Sequence, residues 1–208
     1  MGGVQRWSVV VPVKPLGLAK TRLGPATTRA AHEDLVLALL GDTLEAALAS
    51  PAVGTLWVVT DDPRVAAAAA GAGARVAPDV PAAGLNAALV HGARTAGGSR
   101  VAAMHADLPA LRTTELTGAL AAAGHHRRAF VADAEGTGTT LLAVTGGDLS
   151  PAFGPGSAAA HAAGGAVPLT GDWPGLRRDV DTPAHLVDAR ALGTGPRSRA
   201  DARPGACA

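Results

Sequence analysis

Short apolar runs alternate with longer stretches of helical periodicity along most of this chain. Trp7-Ser-Val-Val-Val-Pro-Val13 is rich in β-branched residues and reads as a first strand, with Pro12 near its end. From Thr27 or Thr28 to about Ala49, Leu35, Leu39, Leu40, Leu44 and Leu48 recur at helical spacing and predict one long helix. Thr55–Thr60 predicts a second strand; Asp61-Asp62-Pro63 then opens a helix over 63–70, with proline in first position and an aspartate as N-cap. Gly71 and Gly73 lead to a short strand at Ala74–Ala77. A helix opening at Gly84-Leu-Asn-Ala-Ala-Leu89, a strand over 101–105 and a helix over 113–123 follow. The last of these is expected to be capped by Thr113 or Thr114, with Glu115 in its first turn. Phe130-Val-Ala and Leu141-Leu-Ala-Val144 predict further strands, and Phe153-Gly-Pro-Gly-Ser157 opens a helix to about His161. Leu176–Asp181 reads as the end of a short strand, and Pro183 starts the final helix.

Alternating β and α elements over one stretch predict a single α/β domain, residues 1–192, with a Rossmann-like, mostly parallel sheet covered by helices. From Gly193 onward glycine, proline, arginine and serine dominate without periodicity, so 193–208 is expected to be a disordered tail. The 208 residues, 48% hydrophobic, suffice for one full-sized core. Eighteen basic residues against 17 acidic ones leave no basic field for nucleic acid, and the scarcity of aromatics removes the stacking platforms of a single-strand binder. The sole cysteine, Cys207, excludes a disulfide framework and a thiolate metal site. With neither a signal-peptide pattern before Trp7 nor an apolar run of membrane-spanning length, the expectation is a cytoplasmic protein without a membrane partner. The oligomeric state is left open, a homo-oligomer included.

The candidate chemistry gathers around residues 101–111. The apolar strand stops at His105-Ala106-Asp107, and Leu108-Pro109 turns the chain, because proline cannot continue a central strand. Asp107 therefore sits at the carboxyl end of a strand, where open α/β sheets bind ligands. A carboxylate there facing phosphates points to Mg²⁺, a hard ion that takes oxygen ligands. The loop Lys14–Gly24 after the first strand carries Lys14, Lys20 and Arg22, cations suited to a polyphosphate, although it is no Walker A loop. Alternation puts Asp179 and Asp181 on one side of Val180, where one of them completes a two-carboxylate site with Asp107 while Asp181 or Thr182 caps the last helix. Asn86, in a helix's first turn, either caps it or contacts a ligand. Around Gly154 and Gly156 the backbone can approach an anion, with the Ser157 hydroxyl beside it. Gly154-x-Gly156-x-x-Ala159 formally matches a dinucleotide fingerprint but follows no strand, which argues against an oxidoreductase.

Six segments occur in order: Val-Pro-Val-Lys-Pro-Leu-Gly-Leu-Ala-Lys-Thr-Arg-Leu, Gly-Leu-Asn-Ala-Ala-Leu, His-Ala-Asp-Leu-Pro-Ala-Leu, Gly-Thr-Gly-Thr-Thr, Phe-Gly-Pro-Gly-Ser and Asp-Val-Asp-Thr-Pro. As a set, over about residues 7–191, they resemble the phosphoenolpyruvate/2-phospho-L-lactate guanylyltransferase family of deazaflavin coenzyme F-420 biosynthesis. The resemblance implies a three-layer nucleotidyltransferase fold and transfer of GMP from GTP to phosphoenolpyruvate, or to 2-phospho-L-lactate. The alanine- and glycine-rich composition fits an actinobacterial member, for which phosphoenolpyruvate is the implied acceptor. Carried over by motif, Asp107 with Asp179 or Asp181 would hold Mg²⁺, and Lys14, Lys20 and Arg22 would neutralise the triphosphate. Asn86 would lie near the base, and Thr139, Gly154 and Ser157 would bind the acceptor's phosphate and carboxylate. A molybdopterin nucleotidyltransferase is the nearest alternative, weakened by the missing glycine-rich first loop; a nucleotide-binding module without catalysis is another.

Overall fold

The computed structural model describes residues 6–19, 23 and 28–200. Seven strands, β1 (Trp7–Pro12), β2 (Val53–Val59), β3 (Arg75–Ala77), β4 (Arg100–Met104), β5 (Arg128–Ala132), β6 (Thr139–Thr145) and β7 (Val167–Pro168), form one sheet. Their order is β3-β2-β1-β4-β6-β5-β7. The pairings are parallel except those of β6, which runs antiparallel to β4 and to β5. The helices are α1 (Arg29–Leu48), α2 (Pro63–Ala72), α3 (Leu85–Ala96), α4 (Thr113–Ala123), α5 (Ser157–Ala163), α6 (Pro174–Arg177), α7 (Pro183–Leu192) and α8 (Pro196–Ala200).

The alternation along the strands builds three layers. Val9 and Val11 of β1 face the core under α1, α2 and α4, while Val10 faces the core under α3 and α5. Leu39, Leu40 and Leu44 of α1 are each 1% exposed, so truncating any one to alanine costs about 2–5 kcal/mol. On the opposite face α3 lies close to the sheet because residue 92 is glycine: a Cβ there would meet Val10 Cγ1 at 2.5 Å and Val59 Cγ2 at 2.6 Å.

Several local expectations agree with the structure. Thr28 caps α1 through the Ala31 N–H, and Asp62 caps α2. Four do not. Arg112, not Thr113 or Thr114, stands at the N-cap of α4, because the Thr113 hydroxyl donates to the Ala46 carbonyl of α1 instead. Gly84, not Asn86, is the N-cap of α3. No strand covers 176–181: Glu115 accepts from the Gly175 and Leu176 N–H groups and stabilises the short helix α6 there. Residues 196–200, expected in the tail, form α8: buried Asp42 accepts from the Arg197 N–H, the Ser198 N–H and the Ser198 hydroxyl and so anchors this helix onto α1. A carboxylate distant in sequence supplies that cap, which local composition does not reveal.

Candidate active site

The position of Asp107 is fixed from both sides. After β4 the His105 N–H donates to the Thr140 carbonyl, continuing the pairing one residue further. Leu108 N–H then donates to Thr43 Oγ1 at 2.9 Å, and the Thr43 hydroxyl donates to the Leu39 carbonyl at 2.8 Å, which ties the turn to α1. From the other side, Val180 N–H donates to the Asp107 carbonyl at 3.1 Å. Val180 is buried with Leu39, Ala110 and Leu186, so Asp179 and Asp181 flank it and turn the other way. The alternation expected of a strand thus holds for these three residues although they form no strand.

One carboxylate oxygen each of Asp107, Asp179 and Asp181 lies within 4.8 Å of the others. Asp107 and Asp179 are buried. Three carboxylates repel one another, and an all-oxygen donor set suits a hard divalent cation, so the residues present fit the ion expected from the sequence. His105 Nδ1 stands 3.8 Å from Asp107 Oδ1 and 3.5 Å from Asp179 Oδ2. No role is expected of His105 from its residue type alone; its signal in the sequence is its place two residues before Asp107 at a strand end.

Beside the acids lies a cleft of about 350 Å³, lined among others by Lys14, Leu18, Leu85, His105, Asp107 and Asp181. Its first loop makes a single 3-10 turn, Leu16–Leu18, whose leading N–H donates to Asp62 Oδ2 at 2.9 Å. The other oxygen of Asp62 accepts from Arg64 N–H and Val65 N–H, so one carboxylate caps α2 and anchors the loop. Burial alone would raise the Asp62 carboxyl, but these backbone donors, helped by the Arg64 charge, hold it below its usual value. Lys14 reaches the cleft, whereas Lys20 and Arg22 lie outside the described residues. Asn86 follows Leu85, but its amide bonds the backbone of Phe153 twice: Nδ2 donates to the carbonyl at 3.1 Å, and Oδ1 accepts the N–H at 2.9 Å.

Thr139, Gly154 and Ser157 lie in segments stitched together on the α5 side of the sheet. Asp133 accepts from the Thr137 and Gly138 N–H groups and shapes the turn into β6. The register shift opposite Val131 and Ala132 then sets Thr139 at an irregularity of β6. Thr139 Oγ1 bonds His161 Nδ1 at 2.9 Å, and His161 Nε2 accepts the Ala152 N–H at 2.9 Å. The Ser157 N–H donates to the Gly154 carbonyl and the Ala158 N–H to the Thr137 carbonyl, so at those two residues the hydroxyl of buried Ser157 is the donor left for an anion. The Phe153 ring joins the two regions, 5.5 Å from the His105 ring and 5.1 Å from that of His161. His161, read from sequence only as a helix end, is fully buried, and burial, then the nearby Arg128 charge, lowers it to about 4. Neither its hydrophobic surroundings nor its neighbours in sequence signal a polar role.

This sheet, covered on both faces and bearing an acid cluster at the carboxyl end of β4, defines the class as a nucleotidyltransferase fold. The chain matches the structure of a nucleotidyl transferase from Methanothermobacter with a TM-score of 0.58, covering 89% of this chain and 96% of that one; at 20% identity this likeness concerns the fold alone. In sequence, residues 7–163 match the family described as guanylyl transferase CofC like, and the chain belongs to that family. The phosphoenolpyruvate guanylyltransferase of Geodermatophilus obscurus is 62% identical over 205 residues, spanning 96% of this chain and 95% of the relative. That of Salinispora arenicola is 58% identical over 197 residues, spanning 93% and 92%.

Proposed function

We propose that the protein transfers GMP from GTP to phosphoenolpyruvate, giving enolpyruvoyl-diphospho-guanosine and pyrophosphate, as a step of coenzyme F-420 biosynthesis. The observation that carries this reading is the convergence of Asp107, Asp179 and Asp181 beside Lys14 at the mouth of the cleft. The names of the relatives support guanine as the base and phosphoenolpyruvate as the acceptor. A cytoplasmic setting belongs to the same reading; among the described residues no helix is long and apolar enough to cross a membrane.

In this mechanism a phosphate oxygen of phosphoenolpyruvate attacks the α-phosphorus of GTP in line, and the bond from that phosphorus to the β-phosphate oxygen breaks to release pyrophosphate. The attacking oxygen is already ionised at neutral pH, so no side chain is needed as a general base. Positioning and charge neutralisation carry the rate. Asp107, Asp179 and Asp181 would hold Mg²⁺, which when bound neutralises phosphate charge and aligns the reacting groups. Lys14, which lines the cleft, would bind triphosphate oxygens, and Lys20 and Arg22 of the same stretch of sequence are proposed to do so with it. Thr139, Gly154 and Ser157 form the proposed acceptor site. Asn86 can contribute to the nucleotide site only with its remaining amide hydrogen and lone pair, because Phe153 takes the others.

The test is GTP consumption by the wild type and by Asp107→Asn, with phosphoenolpyruvate and Mg²⁺ supplied. The wild type should consume GTP only when the acceptor is present. Asp107→Asn should lose about two to three orders of magnitude in turnover while keeping its circular dichroism spectrum. Near-wild-type activity in that variant would remove the carboxylates from the mechanism.

A further inference from the structure

His161 is the one described histidine with no exposed surface, and its two ring nitrogens have distinct partners. Nε2 lies 2.9 Å from the Ala152 nitrogen, a backbone N–H that can only donate. That nitrogen must therefore offer its lone pair and carries no proton. In the neutral ring the proton is on Nδ1, which faces Thr139 Oγ1 at 2.9 Å. The ring donates and the threonine oxygen accepts, so the polarity of this bond is set by the backbone on the far side of the ring. The surroundings favour the same form: Phe153 packs edge-on at 5.1 Å, Phe130 lies at 5.9 Å, and burial and Arg128 both disfavour a charged imidazole.

This fixes what Thr139 can do. A threonine hydroxyl has one hydrogen, and an oxygen that already accepts from a ring N–H is free to give that hydrogen elsewhere. Among the described residues no second partner takes it. The oxygen keeps its second lone pair, but its one hydrogen is turned away from the ring and is available to an acceptor, for which an anionic phosphate or carboxylate oxygen is the strongest match. We propose that His161 is a positioning residue of the acceptor site: its Nδ1–H holds Thr139 Oγ1, so that the Thr139 hydroxyl proton is presented to the anionic oxygens of phosphoenolpyruvate. The proposal rests on the reading of Thr139 as an acceptor-site residue. Because Ala152 precedes Phe153 and Gly154, the same ring also couples the segment carrying Gly154 to β6.

Two substitutions separate the two bonds. In His161→Asn the side-chain amide N–H can occupy the place of Nδ1–H and keep the bond to Thr139, whereas in His161→Gln the amide reaches the place of Nε2 and keeps only the bond to Ala152. The KM for phosphoenolpyruvate should rise about tenfold in His161→Gln and stay within about threefold of wild type in His161→Asn. The KM for GTP should be unchanged in both. Thr139→Val is the reference and should raise the same constant at least as much as His161→Gln. If Thr139→Val leaves it unchanged, Thr139 is outside the acceptor site and the reading beneath the proposal fails. If Thr139→Val raises it and His161→Gln does not, or if the asparagine and glutamine variants lose equally, the site stands and the role given to His161 is wrong. Nitrogen NMR of the wild type supplies a readout independent of turnover: a proton on Nδ1 near neutral pH is expected, and one on Nε2 would overturn the assignment.

Discussion

Asp107, Asp179 and Asp181 are unfavourable neighbours without a cation between them, and their chain neighbours, not their own side chains, bring them together. Asp107 is held through its carbonyl by Val180, and the two other acids flank that buried valine. Ser157 is a different kind of site residue, a buried hydroxyl whose own N–H is already bonded to Gly154. Ser157→Ala removes only the hydroxyl, so it should raise the KM for phosphoenolpyruvate by about tenfold and leave that for GTP within about twofold. Parallel saturation curves in the two substrates check this, and equal effects would take Ser157 out of the acceptor site. The residue types at these places were legible in the sequence, because a strand-ending aspartate before Leu-Pro and an Asp-Val-Asp segment carry their chemistry openly. His161 was not legible: its role depends on one backbone N–H and one hydroxyl brought to opposite sides of its ring by separate segments.

At the scale of elements, α1 is the floor on which the turn at Asp107 and Leu108 rests. Thr43 of that helix accepts from the Leu108 N–H inside the core, where an unpaired N–H costs about 1–3 kcal/mol. Thr43→Val keeps the shape and removes the acceptor. Its thermal midpoint should fall, and turnover should fall beyond what lost stability explains, because the turn beginning at Asp107 loses its anchor. Folded Thr43→Val with wild-type turnover at low temperature would show that the anchor matters only for stability. The alternation of apolar and helical stretches predicted most elements here, since strands buried on both faces and amphipathic helices leave that pattern. The misplaced features have a common origin. Thr113 is drawn to Ala46, residues 175–176 to Glu115, Asn86 to Phe153 and α8 to Asp42, each a bond between distant segments that outweighs the local preference.

For the whole molecule, the buried ring of His161 makes acid stability a property of the fold. Its value is about 4 in the folded state against an ordinary 6.5, so between these the unfolded chain binds a proton that the folded chain excludes. Stability contributed by this group is therefore full above pH 6.5 and falls as the pH drops, by on the order of 3 kcal/mol at the lower end of the window. Denaturant titrations at stepped pH should show a steeper decline for wild type than for His161→Asn over that interval. Identical slopes would mean that the ring accepts a proton in the folded protein. The three-layer architecture also explains why the site sits where it does: β1 and β4 are adjacent central strands, and their carboxyl ends deliver Lys14 and Asp107 to one cleft.

The most direct measurement of the central claim is pyrophosphate release from GTP and Mg²⁺, with phosphoenolpyruvate and 2-phospho-L-lactate offered in separate reactions and the product masses recorded. Guanylyl transfer to phosphoenolpyruvate predicts stoichiometric pyrophosphate and the mass of enolpyruvoyl-diphospho-guanosine in the first reaction. Product only with 2-phospho-L-lactate would contradict the acceptor while keeping the chemistry. No pyrophosphate in either reaction, from folded protein that binds GTP, would contradict the account itself.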